Sequence, residues 1–266
     1  MTRVSVVTGG AAGIGLATVE RLAGDGDVVV ALDRDSEKLV ELERRGQEAG
    51  WTIVPMTLDV ASDEAVERCA AELAERFESI DTLVCAAGIQ RYGTVEETSM
   101  ALFDEVVGVN FRAVFAVCHW LMPLLRAEGG GSVVVVSSVQ AYATQTRVAA
   151  YSATKGALLS LVKAMAVDHA ADGVRVNAVC PASVDTPMLR WAADKFGGGR
   201  PNDEIVAEWG RTHPIGRVAR PSEVADAIAY LASPQASFIT GADLRVDGGV
   251  ISSLGVPLPD ASPGES

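Results

Sequence analysis

Short apolar runs, each followed by a longer helical pattern, recur from one end of the chain to the other, and this rhythm constrains the fold more than any other feature. Val4–Thr8, Val28–Asp33, Thr52–Leu58, Thr82–Ala86, Ser132–Ser137, Arg175–Val179 and Leu244–Val246 read as strands. Ile14–Ala23, Ser36–Ala49, Ser62–Phe77, Met100–Arg126, Tyr151–Ala171 and Ser222–Ala232 read as helices. Strands that are apolar throughout, rather than alternately, are covered on both faces, which is the mark of a parallel sheet. The pattern therefore predicts an α/β fold: a doubly wound, mostly parallel sheet of about seven strands flanked by helices.

The 266 residues show no internal break or repeat, so one domain over residues 1–250 is expected, followed by a tail over 251–266. Residues 185–220 interrupt the rhythm. They carry Gly197-Gly198-Gly199 and several charges in the last long connection, which reads as a mobile lid over a substrate or as a disordered link. Pro257–Ser266 has three prolines and little apolar content, as a loosely ordered end has.

Charge narrows the partners. Lys and Arg number 22 against 35 Asp and Glu, a net charge of −13, which argues against general binding to nucleic acid or anionic membrane. It leaves room for an anionic cofactor, because helix N-termini and backbone amides hold phosphates locally. Met1-Thr2-Arg3 leads straight into Val4–Val7, so no secretory leader is expected, and no uncharged apolar run reaches membrane-spanning length. Cys69, Cys85, Cys118 and Cys180 lack metal-ligand spacing and read as buried reduced thiols, in keeping with a cytoplasmic protein.

A glycine loop follows the first strand: Thr8-Gly9-Gly10-Ala11-Ala12-Gly13-Ile14-Gly15. Gly9, Gly13 and Gly15 permit a sharp turn and close approach to a pyrophosphate, and the helix opening at Ile14 offers free amides. Asp33 ends the second strand, where a carboxylate accepts hydrogen bonds from ribose hydroxyls and repels a 2′-phosphate. This favours NAD over NADP, although Arg34 beside it is a guanidinium able to accept that phosphate. Asp59 and Val60 after the third strand, and Ala86-Ala87-Gly88 after the fourth, fall on the same ligand-binding edge of the sheet.

Tyr151 and Lys155 stand four residues apart, about one helical turn, with Ser138 thirteen positions upstream. A phenol titrates near pH ~10, too high for proton exchange at neutrality. A neighbouring ammonium favours the phenolate, and bringing it to neutrality takes about 4 kcal/mol of differential stabilisation. A serine hydroxyl can hydrogen-bond the reacting oxygen. The three groups suit proton exchange with an alcohol or a carbonyl.

Taken together, the chain resembles the short-chain dehydrogenase/reductase family from Arg3 to Gly249. The family's glycine loop matches Thr8–Gly15, its helix-borne asparagine Asn110, its Ser, Tyr and Lys the residues Ser138, Tyr151 and Lys155, and its final motif Val246-Asp247-Gly248-Gly249. The chain departs at Cys85-Ala86, where the family has two asparagines, and at Ala182, where it has a glycine after Pro181. The first change implies a lost hydrogen bond between strands. By this resemblance the fold is Rossmann-type and Tyr151 is the general acid/base. Lys155 lowers its pKa and holds the nicotinamide ribose, Ser138 orients the substrate oxygen, and Asn110 extends a proton relay through a water. Val184 and Thr186 contact the carboxamide, with Thr186 alternatively a helix cap before Pro187. No metal is implied.

The resemblance thus implies an oxidoreductase moving a hydride between NAD and a secondary alcohol or carbonyl. Gln90, Arg91, Tyr92, Gln140, Gln145, Arg147, Arg190, Trp191 and His213 fall in segments expected around the substrate, and their polarity suits a sugar or polyol. The wording around Gly88–Tyr92 and Ser138–Tyr142 looks like that of sugar dehydrogenases acting on fucose-like aldoses. A 3-oxoacyl or general ketone reductase is the alternative within the family, and a non-catalytic dinucleotide sensor the alternative outside it. The stretch Ala149–Val167, with Ala153, Gly156, Ala157, Ser160 and Ala164, is apolar or small around most of its circumference, so a homo-oligomer, dimer or tetramer, is expected.

Overall fold

A computed structural model describes residues 2–253. Seven strands form a single sheet: β1 (Val4–Thr8), β2 (Val28–Asp33), β3 (Thr52–Thr57), β4 (Thr82–Cys85), β5 (Ser132–Val136), β6 (Arg175–Pro181) and β7 (Asp243–Val246). Their order is β3-β2-β1-β4-β5-β6-β7 and every pair is parallel. The helices are α1 (Gly13–Gly24), α2 (Ser36–Ala49), α3 (Asp63–Arg76), α4 (Met100–Val107), α5 (Ala113–Arg126), α6 (Ala149–His169), α7 (Pro187–Phe196), α8 (Asn202–Gly210) and α9 (Pro221–Ala232).

The apolar strands earn their two-sided cover. Leu83, Val133, Val135 and Val176 pack on one face with Leu73, Leu121 and Leu158 from α3, α5 and α6. Val7, Val29, Val84 and Val134 pack on the other with Val19, Leu39 and Ile228 from α1, α2 and α9. Burying such a side chain contributes about 1.5–3 kcal/mol, which the paired strands gain on both faces.

Local chemistry sets the helix ends. Asp35 accepts a hydrogen bond from the Lys38 amide at 3.1 Å to start α2, and Gly50, with φ 73°, ends it in the left-handed region. Ser62 and Ser99 cap α3 and α4 in the same way.

Two expectations needed correction. Met100–Arg126 is not one helix, because a π-turn at Gly108–Arg112 separates α4 from α5. Residues 185–220 are not a bare connection. They hold α7, begun by the Thr186 cap and Pro187, and α8, with a small core of Ala193, Ile205 and Val206 between them. Val250–Ser252 forms a short 3₁₀ turn, and Pro257–Ser266 lies outside the described residues. Elsewhere, element ends moved by one or two residues.

Strand order reverses between β1 and β4, so the loops leaving these two strands diverge at the carboxyl edge of the sheet. Open α/β sheets place their ligand crevice at such a point.

Candidate active site

That crevice holds a cavity of about 1060 Å³, running from the loop after β1 to the turns after β4, β5 and β6. Thr8 ends β1 between these loops. Its hydroxyl accepts hydrogen bonds from the Ala86 and Ala87 amides at 3.1 and 3.2 Å, tying the two diverging loops together. Gly9 has φ 68°, and a Cβ there would lie 2.9 Å from the Ala87 backbone. At Gly15 a Cβ would fall onto the Gly9 carbonyl oxygen. The loop is thus drawn tight against the start of α1, and Gly9, Gly13, Ile14 and Gly15 all line the cavity.

Asp33 is held at its rim. One carboxylate oxygen accepts from the Ala11 amide at 3.1 Å and the other from the Asp35 amide at 3.0 Å. Arg34 also lines the cavity and is exposed, with no hydrogen bond or ion pair among the described residues. Lys38 is engaged differently: its ammonium lies 2.5 Å from the Asp35 carboxylate.

Deeper in, Ser138, Tyr151 and Lys155 reach one wall, all three buried. Tyr151 and Lys155 share a face of α6, and Ser138 follows β5. The Ser138 hydroxyl accepts from the Gln140 amide at 3.1 Å and stands 3.5 Å from the Pro181 carbonyl. Burial pushes the phenol up to about 12, against a smaller downward pull from the neighbouring Ser138 hydroxyl. Burial likewise brings the Lys155 ammonium down to about 8. That ammonium donates to the Val136 carbonyl at 2.9 Å and lies 5.5 Å from the centre of the Tyr151 ring. In this arrangement the ammonium is directed at a carbonyl, and burial is the larger influence on the phenol.

Ala87, Gly88, Val184 and Thr186 line the cavity as well. Thr186 caps α7, accepting from the Leu189 amide at 3.4 Å, so the helix-cap reading of this residue applies. Three residues stand apart from the cavity walls. Asp59 is exposed and accepts from the Ala61 amide, and Val60 is buried in the core. Asn110 lies inside the π-turn, fully buried, where its amide accepts from the Ile89 amide at 2.8 Å and donates to the Ile89 carbonyl at 2.9 Å. Cys85 does forgo a strand-tying amide; its thiol meets that of Cys118 instead, which together with burial holds it well above the usual thiol range.

At the substrate end Gln90, Tyr92, Gln140, Gln145, Arg147 and His213 line the cavity. Arg91, Arg190 and Trp191 do not. Arg91 pairs with Glu105 at 2.6 Å and Arg190 with Asp185 at 2.7 Å, while Trp191 stacks on Tyr92 with centroids 5.9 Å apart. Phe196 meets Tyr92 edge-on at 4.6 Å, so α7 is fastened over the cavity by aromatic contacts. Among the described residues no cluster of three His, Cys, Asp or Glu side chains is placed to hold a metal, and no helix is long and apolar enough to cross a membrane.

Residues 9–251 match the family model described as enoyl-(acyl carrier protein) reductase. With the parallel sheet and its crevice already in place, this decides the family. The chain is a short-chain dehydrogenase/reductase. This short-chain dehydrogenase/reductase is 36% identical over 252 residues to the 2-(R)-hydroxypropyl-CoM dehydrogenase of Xanthobacter autotrophicus, covering 93% of this chain and 98% of that one. A ligand-free aldohexose dehydrogenase from Thermoplasma acidophilum superposes with a TM-score of 0.89 at 34% identity, covering 97% and 98% of the two chains. An actinorhodin polyketide ketoreductase variant with NADPH does so at 0.89 and 33%, covering 94% and 97%. The short-chain dehydrogenase/reductase is accordingly an oxidoreductase of secondary alcohols and carbonyls, and its family binds nicotinamide cofactors.

Sequence reasoning missed several residues lining its cavity: Lys38, Met188, Leu189, Phe196, Trp209, Val250 and Ile251. Only the α7 residues had a readable signal, the Thr186-Pro187 helix start.

Proposed function

We propose that this enzyme oxidises a neutral, hydroxyl-bearing secondary alcohol, a sugar or polyol, with NAD, using Tyr151 as the proton-transferring group. The observation carrying this is the gathering of buried Ser138, Tyr151 and Lys155 on the wall of the same cavity that the glycine loop and Asp33 open.

The residues present fit a dinucleotide. The loop leaves no room for side chains at Gly9 and Gly15, which is the close backbone approach a pyrophosphate requires. Asp33 stands where the adenosine ribose would be read. Gly9, Gly13, Ile14 and Gly15 would hold the pyrophosphate, Asp33 the ribose, and Ala87, Gly88, Val184 and Thr186 the nicotinamide half. When bound, the nicotinamide accepts or supplies the hydride.

The chain's own groups handle the proton. In reduction the neutral Tyr151 phenol donates to the substrate oxygen; in oxidation it first releases its own proton to solvent, and the phenolate then takes the proton of the substrate hydroxyl. Ser138 donates to the substrate oxygen and stabilises charge on it. Lys155, buried beside the Tyr151 ring, loads positive charge into the site as pH falls through about 8. Asn110 acts on this reading through the backbone: its side chain fixes Ile89 and the turn bearing Gly88.

Asp33 supports NAD over NADP, and unpaired Arg34 supports a residual use of NADP. The amides of Gln90, Gln140 and Gln145 on the cavity wall, and the likeness to an aldohexose dehydrogenase, support a sugar or polyol. The apolar side formed by Tyr92, Phe196 and Trp209 favours a second reading, a bulkier ketone or acyl substrate. The pair α7 and α8 acts as the lid. On α6 the small exposed residues Ala153, Ser160 and Ala164, with Val167 79% exposed, form a face for a second copy of the chain.

The test is a panel of aldoses, polyols, cyclic ketones and acyl thioesters, each with NAD(H) and NADP(H). Aldose or polyol oxidation with NAD is the expected result. Rapid acyl-thioester reduction with no aldose activity would select the second reading, and tight NAD binding without any turnover would discard catalysis.

A further inference from the structure

A short polar chain runs behind the cavity, from the surface at β7 to the turn that bears Ser138. Tyr142 ends the 3₁₀ turn Val139–Ala141, which follows Ser138 directly. Its hydroxyl donates to Asp243 at the start of β7, at 2.6 Å, and lies 3.6 Å from the sulfur of Cys180 on β6. A phenol has one proton, and the carboxylate takes it, so the phenol oxygen faces the sulfur as an acceptor for its S–H. The Cys180 sulfur is fully buried, and the carbonyl of the preceding residue, Val179, accepts from the Ser137 amide at 2.8 Å. Ser137 in turn donates its hydroxyl proton to the Lys155 carbonyl at 2.9 Å. The Asp243 carboxylate is thereby linked through Tyr142 and β6 to the backbone that carries Ser138.

The turn's other ties are its local backbone bonds and the Ser152 hydroxyl, which donates to the Gln140 side-chain oxygen at 3.2 Å. Ser138 Oγ, itself needed toward the phenol, accepts from the Gln140 amide, and its contact with the Pro181 carbonyl is long at 3.5 Å. Tyr142 is 43% exposed, so its ring anchors the turn less than its hydroxyl does. We propose that Tyr142, held by Asp243, is a positioning residue: it fixes the Ser138 turn through Cys180 so that the Ser138 hydroxyl stays in register with Tyr151. The inference rests on reading Ser138, Tyr151 and Lys155 as the reacting set, but the anchoring has a readout of its own.

The experiment compares Tyr142→Phe, Asp243→Ala, Asp243→Asn and the double variant Tyr142→Phe/Asp243→Ala with the parent protein. Backbone amide exchange over residues 138–143 is read without substrate, and kcat and KM are read with the best substrate of the panel above. Tyr142→Phe and Asp243→Ala should each speed exchange in the turn about tenfold. Each should lower kcat about tenfold while substrate and cofactor KM stay within twofold, because a misplaced donor costs rate rather than affinity. Asp243→Asn keeps an acceptor oxygen and should behave as the parent, and the double variant should match either single one. Unchanged exchange in both Tyr142→Phe and Asp243→Ala would overturn the proposal. So would an Asp243→Asn variant as impaired as Asp243→Ala, since charge rather than the bond would then matter. Should Tyr142→Phe unfold, Asp243→Ala alone decides. If the parent shows no turnover on any substrate, the reaction reading fails, and amide exchange still judges the anchoring.

Discussion

The Lys155 ammonium lies 5.5 Å from the centre of the Tyr151 ring and spends a hydrogen bond on the Val136 carbonyl at 2.9 Å. Both groups are buried, and burial moves both toward their neutral forms: the phenol upward to about 12, the amine downward to about 8. The pair therefore stores a charge that neither member carries cheaply, and pH becomes a direct probe of it.

Stability should rise with pH in this window. The unfolded chain keeps the Lys155 proton up to about 10.5, whereas the folded protein releases it near 8. Between these values the unfolded state binds more protons, so unfolding becomes harder as pH increases. The gap corresponds to roughly 3 kcal/mol at most, fully realised as a penalty below pH 8. Denaturant unfolding from pH 7 to 10 should show the rise in the parent protein, and Lys155→Met should flatten it. A parent curve that falls throughout this range would contradict the buried ammonium. Above pH 10 Tyr151 contributes in the opposite sense, because the unfolded phenol loses its proton first.

Removing the phenolic oxygen should stop the chemistry and spare binding. Tyr151→Phe keeps the ring that packs in α6, so dinucleotide affinity should stay within about threefold. Turnover should drop by 10²–10⁴, the usual contribution of a positioned acid or base. Fluorescence titration with NADH and steady-state kinetics separate the two effects.

How far the sequence carried this picture depends on whether a feature was local. The helix Ser36–Ala49 was read with both ends correct because its cap Asp35 and terminating Gly50 act within a few residues. The glycine loop, Asp33, and the Tyr151, Lys155 and Ser138 set were legible because their spacing is their chemistry. The π-turn was not: it is held open by Asn110 bonding Ile89, a contact between residues 21 apart in sequence that no periodicity announces. The state of Lys155 was also hidden, since a four-residue spacing gives a shared face but says nothing of burial. Arg91 and Arg190 looked like substrate ligands only because their partners Glu105 and Asp185 could not be assigned in advance.

Cofactor choice should turn on two neighbours. Asp33→Ala should lower kcat/KM for NAD by about tenfold to a hundredfold, as expected for hydrogen bonds to a charged acceptor worth roughly 1.5–3 kcal/mol. The same change should raise the relative use of NADP, and adding Arg34→Ala should abolish that gain. Initial rates with both cofactors decide it; a parent enzyme preferring NADP would reverse the assignment.

The aromatic fastening of α7 should show in KM. Tyr92→Ala removes the stack on Trp191 and the edge contact with Phe196, each aromatic pair being worth about 0.5–1.5 kcal/mol. Substrate KM should rise about tenfold with kcat changed less, and limited proteolysis near Gly197–Gly199 should quicken. Unaltered KM and proteolysis would mean that α7 is held by other contacts.

At Gly15 a single added methyl group would collide with the carbonyl oxygen of Gly9, across the narrowest gap in the loop. Backbone there has little slack to yield, since a side chain at Gly9 would in turn meet the Ala87 backbone, whose amide is bound by Thr8. On the proposed nucleotide-binding reading, grip and structural integrity are one property in this corner of the protein. Variation that retunes affinity has to come from the rim, at residues such as Asp33 and Arg34, where a side chain can change without moving the main chain beneath it.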